Sequence, residues 1–546
     1  MHQLVESSDK QAQTMATFVP LGKAKSFDSR GFASSKKFVP LAASGRANTF
    51  TGDEDSMTFL RRRLTRFNAS FEGEDAAARP RARARSAERS REVVAVVDAF
   101  STGACVAAEA AARGYGILHV LSLEPSDELA AMVPAHLRGA LPWAGEFSVD
   151  TSAPLEAGAA RLASQLRAFC AGRELALVGV VAGAETGVKL ADCLGDAVVA
   201  GAWAPGVRSN GAAGVEARRN KWDMGEKVRG AGVRAVRQLR STGWDADLER
   251  WLRDDWRVDP ADDAAPVDLI VKPTESAGSD GVTGCKTVGE VRAAVGALVG
   301  AINGLGQKNE EVLIQEFLWG DEYIVDAVSR DGVHKVVGMW LYDRKPTNGA
   351  GFVCHGQRFM SADEPVVGLL VAYAETVLDA LEFRHGPSHM EVKLVPGSET
   401  PCLVEVGARC HGAEGFWISV ADECAGTNQA RAALDAYVDA GAFAALAPLP
   451  PAPLLASGTI KFLLVHEDGT LDKIDDAVVR RIKALASYRG YEIFVEAGKK
   501  VEATRNCFSW GGVVKLNHAD PQQVLDDYAF LDAICLPGGG LWTISA

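Results

Sequence analysis

The sequence predicts a multidomain protein that combines α/β and α+β organisation, and three observations carry that prediction. Val93 to Val97 is a β-branched run ending in Asp98-Ala-Phe-Ser-Thr-Gly103, followed by an Ala-rich helix to Arg113 and a new apolar run from Ile117 to Leu121. That β-turn-α-β order demands a parallel crossover unit. Leu175 to Val181 is another buried strand, closed by Gly183-Ala-Glu-Thr-Gly187 and a helix through Leu194. From Val312 to Val406 the chain reads instead as a series of strands with polar breaks.

A chain of 546 residues corresponds to about three or four domains. Apolar residues make up 47% and charged ones 24%, which places it with ordinary globular enzymes. A net charge of -13 argues against a nucleic-acid partner, because phosphate binding needs a surplus of Lys and Arg on the contact face. No apolar run is long enough to span a bilayer, and the first residues carry Glu6 and Asp9 with no apolar stretch behind them. A cytoplasmic location without membrane attachment is therefore expected, with an organelle presequence in the N-terminal segment as the alternative. The ten cysteines include no Cys-x-x-Cys pair, so reduced, mostly buried thiols are expected. Cys354-His355 and Cys410-His411 lack a second pair at zinc spacing.

Four regions follow. Residues 1–92 are rich in Ser, Lys, Arg and Gly, repeat Phe-Val-Pro-Leu at Phe18 and Phe38, and read as a disordered basic tail. Residues 93–205 form the open α/β domain. Its Ser-Thr-Gly and Glu-Thr-Gly turns put hydroxyls and N–H groups at helix starts, where they serve as ordinary caps or as an anion seat. Residues 206–441 hold a helix from Lys221 to Gly230, a strand and Gly-rich turn from Leu269 to Gly284, a helix from Val288 to Ile302 and the strand series. Residues 442–546 again mix strands and helices.

Five local patterns carry chemistry. Asp268-Leu-Ile-Val-Lys272-Pro273 places a lysine at the end of a buried strand, which asks for an anionic partner. Ser276-Ala-Gly278-Ser279-Asp280-Gly281 is a small-residue loop able to offer backbone N–H groups to phosphates, although it matches neither a Walker A nor a dinucleotide fingerprint. In Gln315-Glu316-Phe317-Leu318-Trp-Gly320-Asp-Glu322, a strand leads through a short connection into another strand that opens on a carboxylate. Such a connection can meet adenine while Glu322 accepts from ribose hydroxyls; a plain hairpin with surface acids is the alternative. Ser388-His389-Met390-Glu391 and Leu403-Val404-Glu405 each bury one glutamate in an apolar strand, as a metal-bridging pair or as ion-paired side chains. Arg409, four residues beyond Glu405, can reach a phosphoryl or carboxylate group.

Taken together these motifs resemble the ATP-grasp superfamily, most nearly its L-amino acid ligase branch, from about Val93 to the C-terminus. The resemblance implies an N-terminal α/β domain, a central domain with a lid, and a C-terminal segment completing the ATP-grasp domain, with ATP held between two antiparallel sheets. It implies that Lys221 and Lys272 bind phosphates beneath the loop of Ser276, Gly278, Ser279 and Gly281. By the same comparison Glu316 to Leu318 face adenine, Glu322 binds ribose, Glu391 and Glu405 hold Mg²⁺ (or Mn²⁺), and Lys272 and Arg409 assist phosphoryl transfer. Gly407 departs from the Asn that many members carry two residues after the second metal glutamate.

The activity so implied is ATP-dependent joining of a small-molecule carboxylate to an amine through an acyl phosphate. A homodimer is compatible with the resemblance. Another ATP-grasp reaction, such as a carboxylase-like or purine-pathway step, and a non-catalytic ATP-binding module are the rivals. A dehydrogenase is disfavoured because Asp98 to Gly103 lacks the glycine fingerprint. Residues between Arg344 and His355, and between His411 and Trp417, are expected to line the acceptor side.

Overall fold

The computed structural model describes residues 91–124, 137, 141–276, 278–303, 307–398 and 400–545. The expected N-terminal tail lies outside the described residues, apart from Arg91 and Glu92.

Four strands, Glu92–Val97 (β1), Gly116–Leu121 (β2), Trp143–Ser148 (β3) and Ala176–Ala182 (β4), pair in parallel in the order β3-β2-β1-β4. Among the described residues, Thr102–Ala112 (α1), Leu155–Ala171 (α2) and Val188–Ala200 (α3) are helices that accompany this sheet. Val93, Ala95 and Val97 enter one apolar core while Val94 and Val96 enter another, so β1 is covered on both faces, as parallel strands require.

Asn220 caps the next helix, Lys221–Gly230 (α4), by accepting from the N–H groups of Trp222 and Asp223. A small lobe follows. Gln238–Ser241 (β5), Pro266–Pro273 (β6), Thr283–Thr287 (β7) and Val312–Glu316 (β8) form an antiparallel sheet in the order β5-β8-β6-β7. Ala246–Asp255 (α5) and Val288–Leu298 (α6) supply Leu248, Leu252, Val288 and Val291 to a core shared with Leu269, Val271 and Ile314. Helix α6 stops four residues short of the expected Ile302. Val299 turns extended, at φ -64° and ψ 127°, and Gly300 takes φ +80°, which only glycine adopts freely.

The large sheet is antiparallel. Asp321–Arg330 (β9), Val333–Thr347 (β10), Ala350–Phe359 (β11), Gly386–Leu394 (β12) and Cys402–Gly407 (β13) are joined in it by Ser457–Leu463 (β14), Tyr488–Ile493 (β16) and Gly512–His518 (β18). Their order is β13-β12-β9-β10-β11-β14-β18-β16. Gly469–Ile474 (β15), Lys500–Val501 (β17) and Trp542–Ser545 (β19) make a separate small sheet. A helix not anticipated in the strand series, Val367–Ala380 (α7), buries Leu370, Ala374, Val377 and Leu378 at helical spacing. Trp417–Ala425 (α8), Gln429–Val438 (α9) and Ala440–Ala445 (α10) follow the strand series, and Asp476–Lys483 (α11) and Pro521–Cys535 (α12) lie near the C-terminus.

Helix α9 joins the two large layers. Its Gln429 Nε2 donates to the Ala327 and Ser388 carbonyls of the antiparallel sheet, at 3.1 and 2.9 Å. On the parallel sheet, Gly179 leaves room for it, since a Cβ there would lie 3.2 Å from Val438 Cγ1. Eight of the ten cysteines are buried, and none is in a disulfide. No helix among the described residues is long and apolar enough to cross a membrane.

Candidate active site

The small lobe and the large sheet face each other across a cleft. On the lobe side, strand alternation turns Leu269 and Val271 into the lobe core and leaves Ile270 and Lys272 to line the cleft. Burial pushes the Lys272 ammonium down to about 8, against the pull of Glu405. Ser276, Gly278 and Ser279 also line the cleft. Gly281 does not; it takes φ +68° and packs its α-carbon where a Cβ would meet Pro273 and Leu298 at 3.0 Å. Glu316, Phe317 and Leu318 edge the same space. The Glu316 carboxylate is turned toward Arg237 (3.2 Å) and Arg234 (3.7 Å), whereas Phe317 lies beside Trp319 and beneath Lys286.

On the sheet side, the period of two gathers a polar face from residues distant in sequence. Glu322 is opposite Lys393 and Asp326 is opposite His389 in the β9–β12 ladder, and Glu391 is opposite Glu405 in the β12–β13 ladder. Tyr342 and Arg344, two apart on β10, turn the same way. Arg344 bridges to Glu322 at 2.9 Å and approaches Glu391 at 3.7 Å, while Tyr342 Oη donates to Glu391 at 2.7 Å. Burial raises the Glu322 carboxyl despite Arg344, with Glu391 adding to the rise. Glu391 goes the other way: burial pushes it up, but His389, Arg344 and Tyr342 hold it well below the usual carboxylate range, so it stays ionised.

Lys221 joins the two sides. Its Nζ lies 2.9 Å from Glu405 Oε2 and donates to the Ser276 carbonyl at 2.9 Å. Arg409, like Gly281, is a predicted site residue that does not border the cleft directly. Its Nε meets Glu185 Oε2 at 2.8 Å, and its guanidinium folds back over Gly407, where a Cβ would stand 2.9 Å from Cζ. The absence of a side chain at 407 thus makes the space that Arg409 occupies. Burial raises the Glu185 carboxyl, but Arg409, Arg219 and Lys221 outweigh it and keep the acid low.

The helix-start turns of the first α/β region make no side-chain caps. Ser101 makes no side-chain cap; Thr102 Oγ1 donates to the Gly412 carbonyl beyond β13 (3.0 Å), and Thr186 Oγ1 donates to Asp98 at the end of β1 (2.5 Å). The expected acceptor stretch from Arg344 to His355 also divides. Arg344 lines the cleft, while Asp343, Lys345 and His355 turn to the other side of the sheet, toward Tyr528 and Asp532 of α12.

Residues to which pattern reading gave no role, Tyr342, Lys393, Asp326 and His389, complete the polar face together with Arg344 and His411, which bound the expected acceptor stretches. His389 Nδ1 donates to Asp326 at 2.8 Å and His411 Nδ1 at 3.0 Å, and Trp340 Nε1 donates to it at 3.0 Å. Burial lowers His389, but the neighbouring carboxylates of Asp326 and Glu391 carry it to about 9. A polar residue every second position was the available signal on β12, where His389, Glu391 and Lys393 carry it, while Asp326 is a lone acid between Ile324 and Val328 on its face of β9. Behind the sheet, Asp343, His355 and Asp532 also converge. There Lys345 and Lys461 already neutralise the two carboxylates, at 2.8 and 2.5 Å, so no net negative charge is left to attract a dication.

Comparison with known proteins agrees with this architecture. Residues 265–415 match the ATP-grasp domain family. The chain belongs to the ATP-grasp family and is an ATP-dependent ligase of that class. It is similar to dapdiamide A synthase of Enterobacter agglomerans, at 30% identity over 342 residues that span 62% of this chain and 72% of that protein. An L-amino acid ligase from Bacillus licheniformis shares the fold with a TM-score of 0.59 at 17% identity, covering 81% of this chain and 97% of that one. A carboxyaminoimidazole ribonucleotide synthase from Aspergillus clavatus, solved with ATP, does so at 0.55 and 13% identity, covering 82% and 98%.

Proposed function

We propose that this ATP-grasp ligase joins two amino acids, or an amino acid and a related amine, by way of an acyl phosphate. The observation that carries the reading is the cross-strand opposition of Glu391 and Glu405 beneath Lys272 and Lys221, in a chain related to a synthase of dapdiamide A.

A carboxylate resists amines because it would have to expel oxide. Its oxygen attacks the γ-phosphorus of ATP, releasing ADP and forming the mixed anhydride. The amine nitrogen then attacks the acyl carbon; the C–O bond to phosphate breaks, and the proton lost by nitrogen leaves with the phosphate. Lys272 and Lys221 bind the phosphate oxygens, with the N–H groups of the Ser276-to-Gly281 loop above them. Phe317 and Leu318 border the adenine, and Glu322 accepts from the ribose hydroxyls. Arg409, held by Glu185, presents its planar donors to the transferring phosphoryl group or the bound carboxylate. Glu391 and Glu405 suit a divalent cation, since two carboxylates face one another in register and Glu391 is kept ionised. Mg²⁺ bound there would neutralise charge on the phosphates during transfer.

Phosphate release across a matrix of amino acid pairs, with mass detection of the product, tests the reading. Release of ADP only when a pair is supplied, with one amide product, is expected. ATP consumption that follows bicarbonate or a ribonucleotide instead would assign the chain to another ATP-grasp reaction.

A further inference from the structure

We propose that Asp326 is a positioning residue of the reaction, setting Glu391 through His389 and the Arg409 segment through His411. The proposal rests on the roles given above to Glu391, Glu405 and Arg409. Asp326 lies in the interior of β9 and is 1% exposed. Its carboxylate is surrounded by donors: His389 on Oδ1, His411 and Trp340 on Oδ2. A buried carboxylate satisfied by several N–H groups has no equally good second orientation, so it fixes whatever donates to it.

The two imidazoles belong to different functional stretches. His389 stands two residues before Glu391 on the same face of β12, its Nε2 3.8 Å from Glu391 Oε1, an ion-pair distance rather than a hydrogen bond. His411 stands two residues beyond Arg409. Its backbone N–H donates to Gln429 Oε1 at 2.7 Å, and Trp417 Nε1 donates to its carbonyl at 3.1 Å. The two imidazoles stack at 4.3 Å, and His411 stacks on Trp417 at 5.4 Å. Register adds to this: Asp326 is opposite His389, which is opposite Gly407, the glycine beneath the Arg409 guanidinium. One carboxylate therefore grips the strand of the first glutamate and the segment that carries the arginine. The same three side chains could also surround a metal ion. In the structure both imidazole Nδ1–H groups bond Asp326 directly, so the three side chains satisfy one another without an ion.

The test uses the full chain and four proteins: the parent, Asp326→Asn, His411→Gln and Glu405→Gln. Mn²⁺ is titrated by electron paramagnetic resonance onto each with a non-hydrolysable ATP analogue, alongside kcat, KM for ATP, melting temperature and metal content as purified. In Asp326→Asn, Mn²⁺ binding weakens about 10- to 100-fold and kcat falls, while analogue binding without metal changes by less than about threefold. In His411→Gln, kcat falls but Mn²⁺ binding stays within about threefold of the parent, because only the arm to Arg409 is cut. Folded Asp326→Asn with parental Mn²⁺ binding and kcat overturns the proposal, as does stoichiometric zinc in the parent that is lost in this variant. Should Asp326→Asn not fold, unchanged kcat in folded His411→Gln overturns it, and the split described supports it. A parent that takes up Mn²⁺ no better than Glu405→Gln refutes the metal reading of Glu391 and Glu405 instead, and kcat of His411→Gln still tests Asp326.

Discussion

Glu391 and Glu405 stand directly opposite each other in the β12–β13 ladder, and Lys221 holds the second at 2.9 Å. Two carboxylates placed so repel one another unless cations lie between or beside them. Glu405→Gln keeps shape and removes charge. Turnover is expected to fall more than a hundredfold, corresponding to about 3 kcal/mol of transition-state stabilisation, with little change in melting temperature. Single-turnover phosphate release and a thermal melt on the same sample check this; wild-type rates in the folded variant would end the metal reading.

Gly407 and Arg409 form a second pair whose separation is set by the absence of a side chain. Gly407→Asn would add a possible metal ligand but intrude on a guanidinium only 2.9 Å from the new Cβ. Because the displaced group is the end of a flexible side chain, folding should survive while turnover drops about tenfold or more. Arg409→Lys is expected to be at least as severe, since an ammonium lacks the planar multi-donor contact. If Gly407→Asn instead raised kcat, the guanidinium position described here would be irrelevant to the reaction.

For Glu322, buried between Arg344 and Lys393, the expected signature is discrimination rather than rate. The parent should bind ATP more tightly than 2′-deoxy-ATP, and Glu322→Ala should lose that difference along with about tenfold in ATP affinity. Equal binding of both nucleotides by the parent, measured calorimetrically, would remove Glu322 from the ribose.

Lys272 gives the pH dependence. Burial lowers it to about 8 in the free protein, with Glu405, Glu391 and Glu322 pulling it up and Lys221 pushing it down. An arriving polyphosphate favours the ammonium and raises this value. Nucleotide binding should therefore take up a proton when the pH exceeds about 8, and affinity should fall as pH rises further. Below about 8 the lysine is already charged and the uptake vanishes. Calorimetry in two buffers of different ionisation enthalpy reads the proton directly, and Lys272→Ala should abolish it; buffer-independent heats at pH 9 in the parent would refute the assignment.

Much of this was legible in the chain before folding. β-branched runs gave the parallel strands, and Lys272, Glu391 and Glu405 drew attention because charged residues inside apolar strands need partners. The Asn220 cap and the glycine at 300 are local signals, so α4 was found at its observed bounds while α6 ran too long where Gly300 was overlooked. What stayed hidden depends on pairing at a distance. Arg344 and Glu322 meet only because β9 and β10 are neighbours, Glu185 reaches Arg409 from the turn after β4, and Asp326 gains its meaning from histidines on β12 and beyond β13. That the stretch from Arg344 to His355 divides was not legible either, because alternation sends Arg344 and Lys345 to opposite faces only once β10 takes its place in the sheet.

The large sheet is not contiguous in the chain: β13 ends at Gly407 and β14, which covers the edge of β11, begins at Ser457. During synthesis at roughly 5–20 residues per second, the emerging chain carries both glutamate strands for several seconds before β14, β18 and β16 can dock. Through that interval β11 presents an unpaired edge, a template for a neighbouring nascent chain. The ligase is thus most vulnerable to misassembly after the strands bearing Lys272, Glu391 and Glu405 have left the ribosome and before the strands that seal the sheet have followed them.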